Sequence, residues 1–151
     1  MMLEPLLAYI HFVAILGLVT FLTSEAALCR AEWMNAAIVH RLLRVDRLYL
    51  VAAITVLATG IARTWWGAKG FGWYWSQPLL HLKVTLFVVI GVMSAVPTRS
   101  FLRWRRTLAA SGALPSAEEV RRARRWIMIQ AHALLLVPLA AVLLARGVGT
   151  R

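Results

Sequence analysis

Residues 5–28 read PLLAYIHFVAILGLVTFLTSEAAL and form a predominantly apolar run. An α-helix needs about 20 mostly apolar residues to cross the hydrocarbon core of a bilayer, and this run is long enough. The residues before it carry Glu4 and no basic side chain, which is unlike the start of a secretory signal peptide. We therefore predict that this run is a membrane-spanning helix and not a cleaved signal.

Three further apolar runs follow, and we predict spanning helices over residues 5–28, 46–64, 78–97 and 119–146. The composition agrees, because 61% of the residues are hydrophobic and only 15% are charged, whereas about a quarter are charged in a typical soluble domain. The predicted fold class is all-α and integral to the membrane. Residues 1–151 would form one domain, a four-transmembrane-helix bundle.

The helix ends and kinks also have sequence signals. Pro78 suits the first position of the third helix, where its missing N–H costs nothing. Ser116 and Glu119 have the spacing of a capping box at the start of the fourth helix. Pro138 is expected to kink that helix. The single cysteine, Cys29, rules out an internal disulfide and is expected to fill apolar space at a helix end.

Basic residues predict the orientation, because cytoplasmic loops of membrane proteins carry an excess of Lys and Arg. The second loop holds only Arg63 and Lys69, and the C-terminal tail holds Arg146 and Arg151. We therefore expect both chain ends outside (N-out/C-out), in the periplasm, for a multi-pass protein of the bacterial cytoplasmic (inner) membrane. The arginines of the first and third loops, expected in the cytoplasm, are Arg30, Arg41, Arg44, Arg47, Arg99, Arg103, Arg105, Arg106, Arg121, Arg122, Arg124 and Arg125.

The same distribution explains the net charge of +11. Loop arginines next to a membrane attract anionic lipids, so the expected partners are the lipid bilayer and anionic lipids at the cytoplasmic loops. A nucleic-acid partner is not expected. Association of the chain with itself as a homo-oligomer stays open.

Two histidines are expected at similar depth below the outer surface. His11 lies about 9 Å below it and His81 about 4 to 5 Å, from the rise of 1.5 Å per residue. Two imidazoles at one depth on two helices suit the axial ligation of a haem b iron, with Lys83 or Lys69 contacting the propionates. The alternative is that both histidines lie at the interface and bond to backbone or lipid. His132 lies too deep to join them and is expected to hydrogen-bond across helices.

Charged side chains near the inner side form a second group. Glu25 closes the first helix and Arg47 opens the second, and charges in a membrane are least costly when paired. We expect a structural ion pair between them; a proton path or a second binding site is the alternative. Glu25 follows His11 by fourteen residues, which returns it to nearly the same face of a helix. Both should point into the bundle.

Short motifs resemble two bacterial membrane families. The stretches Ile10–Phe12, Arg47–Tyr49 and Leu80–Lys83 resemble those of HemJ-type protoporphyrinogen IX oxidases, small proteins of four to five helices thought to bind b-type haem. The chain as a whole is more similar to the DUF2214 family. That second resemblance rests on Ala58–Gly60, Lys69–Gly70, Pro97–Thr98 and Arg103–Arg106.

Three kinds of function remain open at this point. The first is a haem b redox or electron-transfer protein with His11 and His81 as iron ligands and a quinol or a periplasmic protein as partner. The second, implied by the HemJ resemblance, is an oxidoreductase that uses this haem to oxidise a porphyrinogen. The third is a non-catalytic small transporter or membrane assembly factor. A copper site using Met1, Met2 and both histidines, similar to the membrane domain of copper-resistance protein D, is a variant of the first.

Overall fold

The computed structural model describes residues 3–66 and 70–146, with the side chain of Leu144 left out. Its helices are α1 (Leu3–Leu28), α2 (Ala36–Trp66), α3 (Phe71–Trp75), α4 (Pro78–Ser111), α5 (Ala117–Leu134) and α6 (Leu136–Ala145). Four segments are long and apolar enough to cross a membrane: α1, α2, α4, and α5 with α6 as one segment over Ala117–Leu143. No strand occurs in the described ranges. The chain is an all-α, multi-pass membrane protein, as predicted.

The spanning helices pack in a ring in which each helix contacts two neighbours. α1 packs on α2, α2 on α4, α4 on α5 and α6, and α5 on α1, whereas α1 and α4 barely touch. α1 and α4 therefore lie diagonally opposite in the bundle. We call the end that holds the α1–α2 and α4–α5 connections (residues 29–35 and 112–116) the basic end. The opposite end, with Leu3 and the short α3, is the aromatic end.

The largest hydrophobic core lies toward the basic end, and it explains why α4 is longer than expected. We predicted that this helix ends at residue 97, but it continues through Pro97 to Ser111. Pro97 removes one backbone donor, yet Phe101 and Trp104 beyond it are almost fully buried and belong to the core formed with α5. The helix stops at Gly112, whose φ of 69° is left-handed and whose N–H bonds the Leu108 carbonyl at 2.9 Å.

The helix α2 also starts earlier than predicted, at Ala36 instead of residue 46. Asn35 caps its first turn, because the Asn35 Oδ1 accepts a hydrogen bond of 2.9 Å from the Ile38 N–H. The added turns are amphipathic: Val39 and Leu42 are completely buried in the core, while arginines cover the other face. A search for apolar runs misses such a segment, because its average hydropathy is low although one face is fully apolar.

The predicted start of α4 at Pro78 and the predicted capping box at Ser116 are confirmed. Pro78 is the first residue of α4. The Ser116 side chain accepts from the Glu119 N–H at 3.2 Å, and the Glu119 carboxylate accepts from the Ser116 N–H at 3.0 Å, which completes the capping box. The fourth span is interrupted at Leu135, three residues before Pro138, where the Leu135 N–H bonds the His132 carbonyl.

Cys29 fills apolar space at the end of α1, as expected. Its side chain is completely buried in the core, and its Sγ lies 3.8 Å from the Val120 carbonyl oxygen. Burial raises the pKa of the Cys29 thiol to about 12, and the nearby Arg124 offsets only part of this effect. The thiol therefore stays protonated at neutral pH and reacts slowly.

The orientation of the bundle remains a prediction from the arginine distribution. An alkaline phosphatase reporter, which is active only in the periplasm, should be active when fused after Arg151 and silent when inserted at Gly112. The expected reason is that the basic end stays in the cytoplasm. A reporter with activity only in the cytoplasm should give the reverse pattern at the same two positions. If the phosphatase is active at Gly112 and silent at Arg151, the predicted orientation is wrong and the basic end faces the periplasm.

Candidate functional site

The buried face of α1 has a polar residue at each end. Its buried residues are His11, Ala14, Leu18, Leu22 and Glu25, which recur every three or four positions. The prediction that His11 and Glu25 share one face that points into the bundle is confirmed. Their separation along the helix axis is about 21 Å at 1.5 Å per residue. Two separate polar sites result, with apolar side chains between them.

The site nearer the basic end contains two acidic side chains. Glu25 is 1% exposed and Asp46 on α2 is 2% exposed, and the two carboxyl groups are close enough to interact electrostatically with each other and with Tyr49. Thr98 on α4 donates a hydrogen bond of 2.8 Å to Asp46 Oδ1. The Tyr49 hydroxyl donates to Oε1 of Gln130 on α5 at 3.5 Å. We call these five residues, which come from all four spanning segments, the carboxyl cluster.

The carboxyl cluster has polar atoms without partners. Within the described ranges, Oε1 of Glu25 and Nε2 of Gln130 are buried and make no hydrogen bond. Buried polar atoms in folded proteins are nearly always satisfied, and exceptions need an explanation such as a proton, a water molecule or a ligand. The cluster thus offers one spare acceptor and one spare donor, both shielded from solvent. Its chemistry suits a proton or a small polar species.

The structure does not form the ion pair that we expected between Glu25 and Arg47. No ion pair within 4 Å joins them, and the Arg47 side chain is exposed at the surface of the basic end. Neighbouring residues on a helix point about 100° apart, so Arg47 turns outward because Asp46 turns inward. The buried group that α2 presents to Glu25 is therefore a second acid and not a base.

The site nearer the aromatic end is built around His11. Its Nδ1 lies 2.8 Å from Oγ1 of Thr59, and both side chains are buried. The Thr59 hydroxyl donates its only proton to the Thr55 carbonyl at 2.6 Å, so His11 Nδ1 carries the proton that Thr59 accepts. Gly60 allows this close approach: a Cβ there would lie 3.2 Å from His11 Cε1. Thr59 and Gly60 of α2 therefore form the surface on which the imidazole packs.

The structure does not bring His81 to His11. His81 is exposed on α4, and its Nε2 hydrogen-bonds the Trp75 carbonyl at 2.9 Å. Its ring also meets the Trp75 ring edge-on at 5.7 Å between centroids. Because His81 is exposed while His11 is buried, no described contact joins the two imidazoles, and haem ligation by both stays a prediction.

The cations expected near His11 are partly in place. Lys83 is partly buried and, with Arg63, lies within electrostatic range of His11. Arg63 also pairs with Glu4, with 3.6 Å between the Arg63 Nη2 and the Glu4 Oε1. The other predicted ligands Lys69, Met1 and Met2 lie outside the described residues.

Two polar side chains behave differently from the sequence prediction. Arg124, expected among the loop arginines that attract anionic lipids, instead donates to the carbonyls of Ala26 and Cys29 and so caps the end of α1. His132, expected to bond across helices, instead pairs its Nδ1 with the Met128 carbonyl of its own helix at 2.6 Å.

Sequence reasoning also missed most of the carboxyl cluster. Asp46, Tyr49 and Thr98 were not singled out as site residues. The available signal was the three-residue spacing of Asp46 and Tyr49, which places them on one face of α2.

Comparison with known proteins identifies the family. The profile of the family described as "Predicted membrane protein (DUF2214)" matches residues 3–149. No curated protein and no solved structure matches the chain, so the resemblance to HemJ-type oxidases stays a prediction. The match covers all four spanning segments together with the carboxyl cluster and the His11 site, and on that ground the chain belongs to the DUF2214 family.

Proposed function

We propose that this chain is a small transporter of the bacterial cytoplasmic membrane that binds and releases a proton at the carboxyl cluster. Ionisable side chains inside a membrane protein are costly, so they usually mark the path of an ion, a proton or a substrate. The carboxyl cluster draws on every spanning segment of the bundle. A change in its protonation would therefore alter side-chain contacts of all four segments at once.

The observation that carries this proposal is the pair of buried carboxyl groups that form no ion pair within 4 Å among the described residues, although Arg47 lies within electrostatic range of Asp46. Glu25 and Asp46 are both shielded from solvent, and no ion pair reaches either of them within the described residues. Two neighbouring carboxylates out of water repel each other, and one shared proton removes that repulsion. The unpartnered Oε1 of Glu25 is a position for that proton.

The proton reaches the carboxyl cluster from the basic end. Glu25 lies three residues before the end of α1, so the carboxyl cluster is close to the basic end. Toward the aromatic end, the face of α1 is apolar at Ala14, Leu18 and Leu22. Transfer to the other side therefore needs a second arrangement of the helices, as alternating access in transporters requires.

The proposal is tested by proton uptake into proteoliposomes. A potassium diffusion potential drives the flux, and a pH-sensitive dye trapped inside reports it. We expect Glu25→Gln and Asp46→Asn each to slow uptake by at least about tenfold, equivalent to ~1.4 kcal/mol in the barrier. The matched control is Glu32→Gln, because Glu32 is exposed in the connection after α1 and should leave the rate unchanged. Equal rates for wild type and Glu25→Gln, or for wild type and empty liposomes, would refute the proposal.

A haem b redox protein, with a quinol or a periplasmic protein as electron partner, is the second candidate. It is favoured by His11, which is buried, presents an unprotonated Nε2 when Thr59 accepts from Nδ1, and lies near Lys83 and Arg63, two cations suited to propionates. Porphyrinogen oxidation would be a further step on that same haem. Sharp b-type absorption bands that are lost in His11→Ala but kept in His132→Ala would favour this candidate. Colourless protein after expression with ample haem would remove it.

A further inference from the structure

The basic end has a small cavity surrounded by positive charge. The cavity measures about 130 Å³ and is lined by His40, Leu43, Arg44, Arg47 and Arg105. Three of these residues are arginines, and none is acidic. Arg44 and Arg47 come from successive turns of α2, and Arg105 reaches the same cavity from α4. Two helices therefore direct guanidinium groups toward one space.

A larger groove adjoins this cavity and shares Arg44 with it. The groove measures about 440 Å³, and Ala27, Leu28 and Val45 form its apolar walls between α1 and α2. Arg41 and Arg44 lie on its border. The two spaces together therefore have a cationic part and an apolar part.

These arginines form no ion pair within 4 Å in the described part of the protein, although Arg47 lies within electrostatic range of Asp46. The ion pairs of the described residues involve Arg63, Arg103 and Arg121 and none of the four arginines at the two cavities. Arginine binds phosphate oxygens through two parallel hydrogen bonds, which makes it the preferred side chain for phosphate sites. Four guanidinium groups without an ion pair around these two adjoining spaces indicate an anion of the phosphate class.

We propose that the two cavities form one binding site for an acidic phospholipid. Its phosphate binds Arg44, Arg47 and Arg105 in the small cavity, and an acyl chain lies in the groove along Leu28 and Val45. The apolar groove argues for a lipid instead of a free phosphate ion, because an ion would leave the groove unfilled. None of the residues that line the two cavities belongs to the carboxyl cluster, and the binding test below does not depend on proton transport.

The test is lipid binding to the detergent-purified chain by native mass spectrometry. Phosphatidylglycerol and phosphatidylcholine with identical acyl chains are titrated separately. We expect phosphatidylglycerol to bind at least about fivefold more tightly, and Arg44→Gln to reduce that affinity by about fivefold to tenfold. Arg122→Gln is the matched control, because Arg122 is exposed on α5 near the same end and makes no ion pair among the described residues. Its effect should stay below about twofold.

A second variant guards against a folding defect at position 44. Arg105→Gln on α4 should weaken binding in the same direction, and both variants should elute as the wild type does in gel filtration. Equal losses in Arg44→Gln and Arg122→Gln would mean general attraction to a basic surface and would overturn the proposal. Binding of inorganic phosphate at millimolar concentration with no preference between the two lipids would overturn it as well. Failure of proton uptake leaves these binding results untouched.

Discussion

Replacing Phe101 with alanine is expected to lower the free energy of unfolding by about 3–5 kcal/mol. Phe101 is completely buried, and its ring lies 5.4 Å from the ring of Trp104. Both belong to the core in which α4 meets α5 at the basic end. The side chain cannot be replaced by lipid there, because Val120 and Ile127 of α5 enclose the same core. The change therefore leaves a cavity inside protein and not a contact with the bilayer.

Unfolding in mixed detergent micelles by increasing fractions of sodium dodecyl sulfate, followed by circular dichroism, measures this loss. Phe12→Ala is the matched control, since it deletes the same atoms from a side chain that is 61% exposed on α1. Its effect should stay within about 0.5 kcal/mol. If both variants unfold at the same detergent fraction as the wild type, the segment after Pro97 does not pack as described.

The four spanning segments could be predicted from the sequence because the bilayer sets a length and a polarity that each segment must satisfy. That rule finds the apolar part of a helix but not its amphipathic extensions. The first turns of α2 and the last turns of α4 were missed for this reason. They bury Val39, Leu42 and Phe101 on one face while arginines occupy the other.

The partners of the polar residues were harder to predict, because a helix that is apolar on all sides gives little indication of which face turns inward. His81 illustrates the difficulty: Leu80 is buried on α4, and its neighbour His81 is exposed. The prediction for α1 was more successful. The spacing of His11 and Glu25 places both side chains on one helix face, whichever way the helix is rotated about its axis. Their predicted common face is confirmed.

The choice between Asp46 and Arg47 depends on the same rotation. If Arg47 pointed inward, Glu25 would have an opposite charge beside it, and the two residues would form a structural ion pair. With Asp46 inward, as the structure has it, the same helix gives the bundle two acids. A rotation of about one residue, or 100°, thus separates a structural role from a proton-binding role.

Glu25 and Asp46 are expected to be coupled by about 1–3 kcal/mol in a double-mutant cycle, whereas Glu25 and Arg47 should be additive within about 0.5 kcal/mol. Glu25→Gln or Asp46→Asn alone should raise the free energy of unfolding, because two buried carboxyl groups must either repel each other or take up a proton, and a neutral amide removes that cost. Once one is an amide, the second replacement relieves no repulsion, so the gains are less than additive. The amide oxygen that Asp46→Asn introduces can still accept from Thr98, which keeps the packing comparable.

The cycle is measured by the same detergent titration at neutral pH, with Arg47→Gln supplying the third single variant. Repeating the cycle at acidic pH tests whether the coupling free energy between Glu25 and Asp46 comes from charge repulsion. Protonation of both carboxyls removes their repulsion without any mutation, so the coupling between Glu25 and Asp46 should shrink as the pH falls. Glu25 and Asp46 could instead prove additive at every pH while Glu25 and Arg47 are strongly coupled. That result would support the ion pair between Glu25 and Arg47 and would refute the proton-binding proposal.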